Sequence, residues 1–296
     1  MIHVSNLSKS YSDIHAVKGI SFDVTKGSFF AFLGPNGAGK STTINMLCTL
    51  LSKDHGDVTI SGYELGKEDD GIRKSIGVVF QHYMLDGKLT VSQNLHIRGQ
   101  FYNLKKDVIL SRIDWLVNLL GIDYLDQPYK TLSGGQKRRA DIARALIHQP
   151  KILFLDEPTT GLDPKTRKDV WEVIDLLRQQ EMTIFLTTHY MEEASQADKI
   201  VIINHGEIVV QGTPDALKKS YAHDTLRLAG NDKGIEEKLK EMSISYEKKA
   251  DVYVVKTSSL NAIPMIEALR GHLTGFEMIQ ATLDDVFLDI IKGQSS

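Results

Sequence analysis

The sequence holds one cysteine, Cys48, so no disulfide can close within the chain, as fits a reducing cytosol. No apolar run approaches the roughly 18 residues that a bilayer-spanning helix needs. Ile200 to Ile203 is typical of the short stretches present, and no membrane span is predicted. Met1 to Asn6 lack a basic region followed by an apolar core, so no secretory leader is predicted either. Positive charge is not in excess: the formal net charge is -3, which argues against a chain that grips nucleic acid by bulk charge. The ten histidines include no H-x-x-x-H spacing and no Cys/His cluster, so no zinc site is expected. A serine-nucleophile elbow, an internal repeat, a heptad run and low-complexity segments are absent as well.

What is there reads as an ordinary globular protein: 296 residues, 42% hydrophobic and 25% charged. At roughly 150 residues per domain, about two domains are expected. His3–Leu7 and Ile20–Val24 alternate apolar and polar residues, as antiparallel strands do. Ser28 to Leu33 is almost wholly apolar, a buried strand, and Ser41 to Leu51 reads as a helix. Residues 81 to 131 are mostly helical, with Ile109, Ile113, Leu116, Val117 and Leu120 at helical spacing. From Leu132 helices alternate with the short apolar runs Lys151–Leu155 and Thr183–Thr187, the pattern of a parallel sheet with crossover helices. Val201 to Val210 closes this region as a hairpin. Past Ala222 the pattern changes: a strand at Thr225–Leu228, a charged helix at Ile235–Met242, a hairpin within Ser243–Lys256 and a helix at Ala262–Leu269. The prediction is therefore an α/β domain over residues 1–220 and a small α+β domain over 221–296, with Gly293 to Ser296 a frayed tail.

Gly34-Pro35-Asn36-Gly37-Ala38-Gly39-Lys40-Ser41 matches G-x-x-x-x-G-K-[ST] between a strand and a helix. Glycines let consecutive N–H groups point inward at phosphate oxygens, and the helix that begins here adds unpaired N–H groups and its positive end. Lys40 brings a full charge to the outer phosphates, Thr42 follows in the first turn, and the Ser41 hydroxyl can ligate Mg²⁺. Ile152 to Glu157 is a buried strand ending in two carboxylates. Asp156 would hold the Mg²⁺, and Glu157 would be the general base for a water attacking the γ-phosphate. Ser133-Gly134-Gly135-Gln136 opens a helix whose apolar face includes Ala140, Ala143, Leu146 and Ile147; it is either a plain serine cap or a second anion-binding helix end. Lys137-Arg138-Arg139 is expected to cover the solvated face of that helix rather than to bind nucleic acid, and Cys48 to be a small core residue.

Together these segments resemble the nucleotide-binding domain of ATP-binding cassette (ABC) proteins, over roughly residues 1 to 215. The resemblance implies a P-loop core with an antiparallel β subdomain and a helical subdomain at about 81–131. It implies ATP and Mg²⁺ as ligands, ATP hydrolysis as the activity, and a head-to-tail dimer with the signature segment Ser133–Gln136 of one subunit on the ATP of the other. By the same resemblance Tyr11 stacks on adenine, and Gln81 touches Mg²⁺ and the attacking water. Asp163 belongs to the D-loop, and His189 contacts the γ-phosphate. From the residues alone Tyr11 is an aromatic at a strand end, Gln81 a loop glutamine, His189 a structural histidine and Asp163-Pro164 a helix start. Ala281 to Leu288 and Lys137 to Leu146 are similar to segments of the drug-resistance ABC-2 exporters. From the residues alone, Leu283, Val286, Phe287 and Ile290 are the packing face of a short helix. The implied role is the ATPase subunit of an exporter of a drug, lipid or polymer, peripheral on the cytoplasmic face of the cell membrane. Its implied partners are a second copy and integral-membrane permease subunits, the latter received beside Gln81 to Ile97, where Tyr83-Met84-Leu85 offers apolar groups. A soluble ABC ATPase acting on ribosomes or DNA, or a sensing complex, is the alternative.

Overall fold

The computed structural model describes residues 1–221, 224–230 and 232–287. The chain divides into two compact units, Met1–Thr213 and Pro214–Ser296.

In the first unit β1 (Ile2–Tyr11) and β2 (Ile14–Val24) pair antiparallel, with Ile2 opposite Val24 and Tyr11 opposite Ile14. The apolar member of each alternation, such as Val4 and Phe22, is the buried one. β3 (Phe29–Leu33) is buried at every residue, as a strand covered on both faces must be, and it feeds the glycine loop and α1 (Lys40–Leu47). The chain then returns to the first sheet as β4 (His55–Ile60) and β5 (Tyr63–Glu64), giving the order β2-β1-β4-β5. Pattern reading misses β4 because only Val58 and Ile60 of its six residues turn into the core.

Next come α2 (Asp69–Ser75), β6 (Ile76–Val79), α3 (Val91–Phe101) and α4 (Lys106–Leu120). α4 buries Ile109, Ile113, Leu116 and Leu120, while Val117, also in the predicted stripe, is half-buried. Then α5 (Gly134–Leu146), β7 (Ile152–Asp156), α6 (Pro164–Gln179), β8 (Thr183–Thr188), α7 (Met191–Ala194), β9 (Lys199–Asn204) and β10 (Glu207–Gly212) follow. They build a six-stranded sheet of order β10-β9-β3-β8-β7-β6. Its neighbours are parallel except β9 and β10, a hairpin that turns at His205 and Gly206, both with positive φ. Between the two sheets Phe22, Phe30, Phe32, Phe154 and Phe185 pack around one another, with Phe185 5.0 Å from Phe30. Cys48 is buried in this core, and burial pushes its thiol well above the usual range, which makes it an inert packing residue.

The second unit holds α8 (Pro214–Tyr221), β11 (Asp224–Gly230), α9 (Asp232–Glu241), β12 (Glu247–Lys249), β13 (Val252–Thr257), α10 (Ser259–Leu269) and β14 (Leu273–Ile279). From β11 onward this is a βαββαβ module with sheet order β12-β13-β11-β14, the split βαβ plan. Leu226, Leu228, Ile235, Leu239, Tyr253, Val255, Met265 and Leu269 form its own core. Residues 283–287 are helical, and Leu283 and Val286 are buried as the amphipathic reading requires. Ala222, Leu288, Ile290 and the tail Gly293 to Ser296 lie outside the described residues. Among the described residues no helix is long and apolar enough to cross a membrane.

Candidate nucleotide site

The loop Gly34–Ser41 joins β3 to α1, and two of its glycines have no substitute. A Cβ on Gly34 would lie 2.3 Å from the Ile203 carbonyl oxygen. Gly39 has φ +106, and a Cβ there would lie 2.5 Å from the Ala16 carbonyl oxygen. The loop curls over Lys40, which is only 4% exposed: its Nζ donates to the carbonyls of Gly34 (2.8 Å) and Pro35 (3.1 Å) and stands 3.2 Å from Glu157 Oε1. Ala38 is buried within the loop. Asn36, Gly37, Gly39, Lys40, Ser41 and Thr42 line a cavity of about 470 Å³ together with Gln81, Glu157, Thr160, His189 and Ala16. Residues spread over more than 150 positions of sequence thus meet at one opening.

Glu157 follows the last residue of β7 with φ +44, an unusual backbone for a residue with a side chain. Its N–H is fixed there by both the carbonyl (3.1 Å) and the hydroxyl (3.2 Å) of Thr187 on the next strand. Its Oε2 accepts from the Thr160 hydroxyl at 3.1 Å and lies 3.3 Å from His189 Nδ1, which makes no formal hydrogen bond. The Thr187 hydroxyl also donates to Asp156 Oδ1 at 2.5 Å. Burial pushes the Asp156 carboxyl above the usual carboxylate range; the Thr187 bond opposes this, the Glu157 charge adds to it, and Lys40 opposes it. One threonine therefore sets both carboxylates. Glu193, buried in α7, accepts the hydroxyls of Thr159 and Thr188 and so ties the turn after β7 to the end of β8. Neither Thr187 nor Glu193 is marked by any motif; only their position opposite Asp156 and beside His189 gives them their part.

Other predicted residues stand apart from this cavity. Tyr11 is 46% exposed at the end of β1 and does not line it. Ser133 caps α5 in a reciprocal box, its hydroxyl accepting from the Gln136 N–H and its own N–H donating to Gln136 Oε1. Gly134 and Gly135 follow, with Gly135 against Thr166: a Cβ there would lie 3.1 Å from the Thr166 methyl. Asp163 caps α6 by accepting from the N–H groups of Lys165 and Thr166 and from the Thr166 hydroxyl. Those bonds, the hydroxyl first, hold its carboxyl below the usual range. The Ser133–Gln136 end of α5 and the start of α6 are thus neighbours on one surface, separate from the loop's own cavity. Tyr83 and Met84 are exposed, and Leu85 is half-buried.

One expectation is overturned. Arg138 does not lie on a solvated face: it is 1% exposed, and its Nη1 and Nη2 donate to the carbonyls of Phe80 (2.6 Å) and Gln81 (3.0 Å). Lys137 and Arg139 flank it half-buried, and Arg139 donates to the Leu120 carbonyl. A run of three cations wraps around a helix, so at least one must turn away from the face the others share. α5 is covered on most sides, with Gly135, Arg138, Ala140, Asp141, Ile142, Ala143 and Arg144 all buried, so no fully solvated face is left for the run.

A family model described as "ABC transporter" matches residues 17–160, which takes in the glycine loop, the Ser133–Gln136 segment and the acidic strand end. The daunorubicin/doxorubicin resistance ATP-binding protein DrrA of Streptomyces peucetius is 36% identical over 300 residues, 97% of this chain and 91% of that one. The Nod factor export ATP-binding protein I of Rhizobium sp. (strain N33) is 41% identical over 222 residues, 74% of this chain and 73% of that one. Among solved structures, the ATP-binding cassette MJ0796, a dimer in a post-hydrolysis state bound to ADP and Pi, superposes with a TM-score of 0.65 at 28% identity, covering 72% of this chain and 98% of that one. The chain belongs to the ABC transporter family, as one of its ATPase cassettes.

Proposed function

We propose that this cassette hydrolyses ATP to drive export through separate integral-membrane subunits, working as one half of a homodimer on the cytoplasmic face of the membrane. The observation that carries the reading is the single cavity where Lys40, Ser41, Gln81, Glu157 and His189 converge. The names of the resistance and export relatives favour export over an action on ribosomes or DNA.

The chemistry follows from the contacts. Lys40 is held by two carbonyls and Glu157, and an entering phosphate competes for it with Glu157. Once Lys40 turns to the phosphate, the Glu157 carboxylate is free to accept a proton. A water held by Glu157, Gln81 and His189 attacks the γ-phosphorus. Its proton passes to Glu157, and the bond from γ-phosphorus to the bridging oxygen breaks to leave ADP and phosphate. The residues suit Mg²⁺: Ser41 and Gln81 line the cavity and Asp156 ends β7 next to Glu157, so they would offer hard oxygen donors with one carboxylate, as expected of an ion that takes its remaining ligands from phosphate and water. Bound there, Mg²⁺ would neutralise charge on the β- and γ-phosphate oxygens. Ser133–Gln136 and Asp163 do not line their own cavity, and a second copy would present them to this chain's ATP; a solved neighbour that is dimeric supports this. Tyr11 would lie against the adenine, beyond the phosphate end. The exposed Tyr83 and Met84, just after Gln81 in the chain, and the exposed Ile97 of α3 fit a surface for the membrane subunit.

The test is purification of the chain from detergent-solubilised membranes. A stoichiometric multi-span protein should co-purify with it and raise its ATPase rate. Recovery with ribosomes or nucleic acid instead would overturn the export reading and leave the ATPase.

A further inference from the structure

α5 grips the segment leading into the nucleotide cavity at successive points. Arg144 Nη2 donates to the Val78 carbonyl (2.6 Å), Arg138 to those of Phe80 and Gln81, and Asp141 Oδ1 accepts from the Met84 N–H (3.3 Å). The three side chains recur every three residues and are 7%, 1% and 1% exposed for Arg144, Arg138 and Asp141. Tyr83 lies over the Arg138 guanidinium at 5.3 Å, and its hydroxyl donates to the Gly134 carbonyl. Tyr129 donates to the other oxygen of Asp141. A buried guanidinium is costly, and an apolar side chain of similar length would fill the same space at less cost. What only the guanidinium supplies is a planar fork that fixes two consecutive carbonyls in direction as well as distance.

We propose that Arg138 is a positioning residue for hydrolysis: it sets the Gln81 backbone so that the side chain reaches the cavity, and it makes Gln81 follow any shift of α5. The helix that begins with Ser133–Gln136 for one nucleotide thereby holds the glutamine that serves the other. This rests on the reading of Gln81 as a group that acts on the nucleotide. A buried, bidentate bond has no slack for the loop to drift, so a displaced α5 carries Gln81 with it.

Four variants of the full chain test it: Arg138→Met, Arg138→Lys, Gln81→Ala and the double variant Arg138→Met/Gln81→Ala. ATP affinity, kcat and melting temperature are measured for each. Arg138→Met should keep the wild-type Kd for ATP while kcat falls about 10- to 100-fold, the scale of a catalytic group misplaced by about an ångström. Arg138→Lys, which keeps a donor for the carbonyls, should recover part of that loss. The double variant should be no slower than Gln81→Ala alone, because Arg138 acts through Gln81. Losses that multiply in the double variant, with Gln81→Ala itself slow, would overturn the role of Arg138 alone. So would an Arg138→Lys variant no faster than Arg138→Met. Wild-type turnover in Gln81→Ala would overturn the reading of Gln81, and this proposal with it.

Discussion

Lys40 and Glu157 stand 3.2 Å apart, at 4% and 11% side-chain exposure, at the mouth of the loop. A carboxylate so placed is ion-paired with the lysine, and on the proposed reading it serves as the base once a phosphate takes the lysine over. Glu157→Gln keeps the volume and a carbonyl oxygen near Lys40 but cannot accept the proton. We expect it to bind ATP as the wild type does while phosphate release slows about 10²- to 10⁴-fold, the range of a lost general base. Near-normal release would sink the assignment. At this scale the sequence is legible where chemistry is local: loop glycines, lysine and paired carboxylates are contiguous, so spacing alone exposes them. Thr187, Glu193 and Arg138 are not legible in that way. Each does its work across a strand gap or between segments, and nothing beside it in the chain announces the partner.

Among the elements, α5 and the turn that follows it show the same division. The apolar stripe Ala140, Ala143, Leu146 and Ile147 is buried as its spacing predicts, but the cations between follow contacts that only the fold creates. β14 escapes the pattern because five of its seven residues from Thr274 to Met278 hold just two large apolar side chains. Just past α5, His148 stacks on Tyr102 at 3.8 Å and pairs through Nε2 with the Ile76 carbonyl. Burial pulls its pKa from 6.5 down to about 4; the Arg98 and Arg144 charges add to this and the Ile76 bond opposes it. The unfolded chain therefore takes up a proton that the folded one refuses. The contribution of His148 to stability is intact above pH 6.5 and is lost as pH falls through 4, by about 3 kcal/mol in total. His148→Gln retains an N–H for Ile76 and has no proton to gain. Its melting temperature should fall less steeply than the wild type's between pH 6.5 and 4, and equal slopes would rule the linkage out.

For the whole molecule, the two hydrophobic clusters draw on separate stretches of chain, from Ile2 to Ile203 in one and from Leu226 to Leu269 in the other. Among the described residues, those that line the nucleotide cavity all belong to the first unit. A ligand stabilises only the cooperative body that binds it, by about 2.7 kcal/mol at a hundredfold excess over its Kd. For a body of roughly 200 residues that raises the melting temperature by about 5–10 °C. Calorimetry on Glu157→Gln, chosen so that ATP survives the scan, should show two transitions. Only the larger should move with ATP and Mg²⁺, and the smaller, from the βαββαβ module, should stay in place. A single transition that moves as one would mean that the two cores unfold together. The second unit would then share in nucleotide binding through its stability, although none of its described side chains lines the cavity.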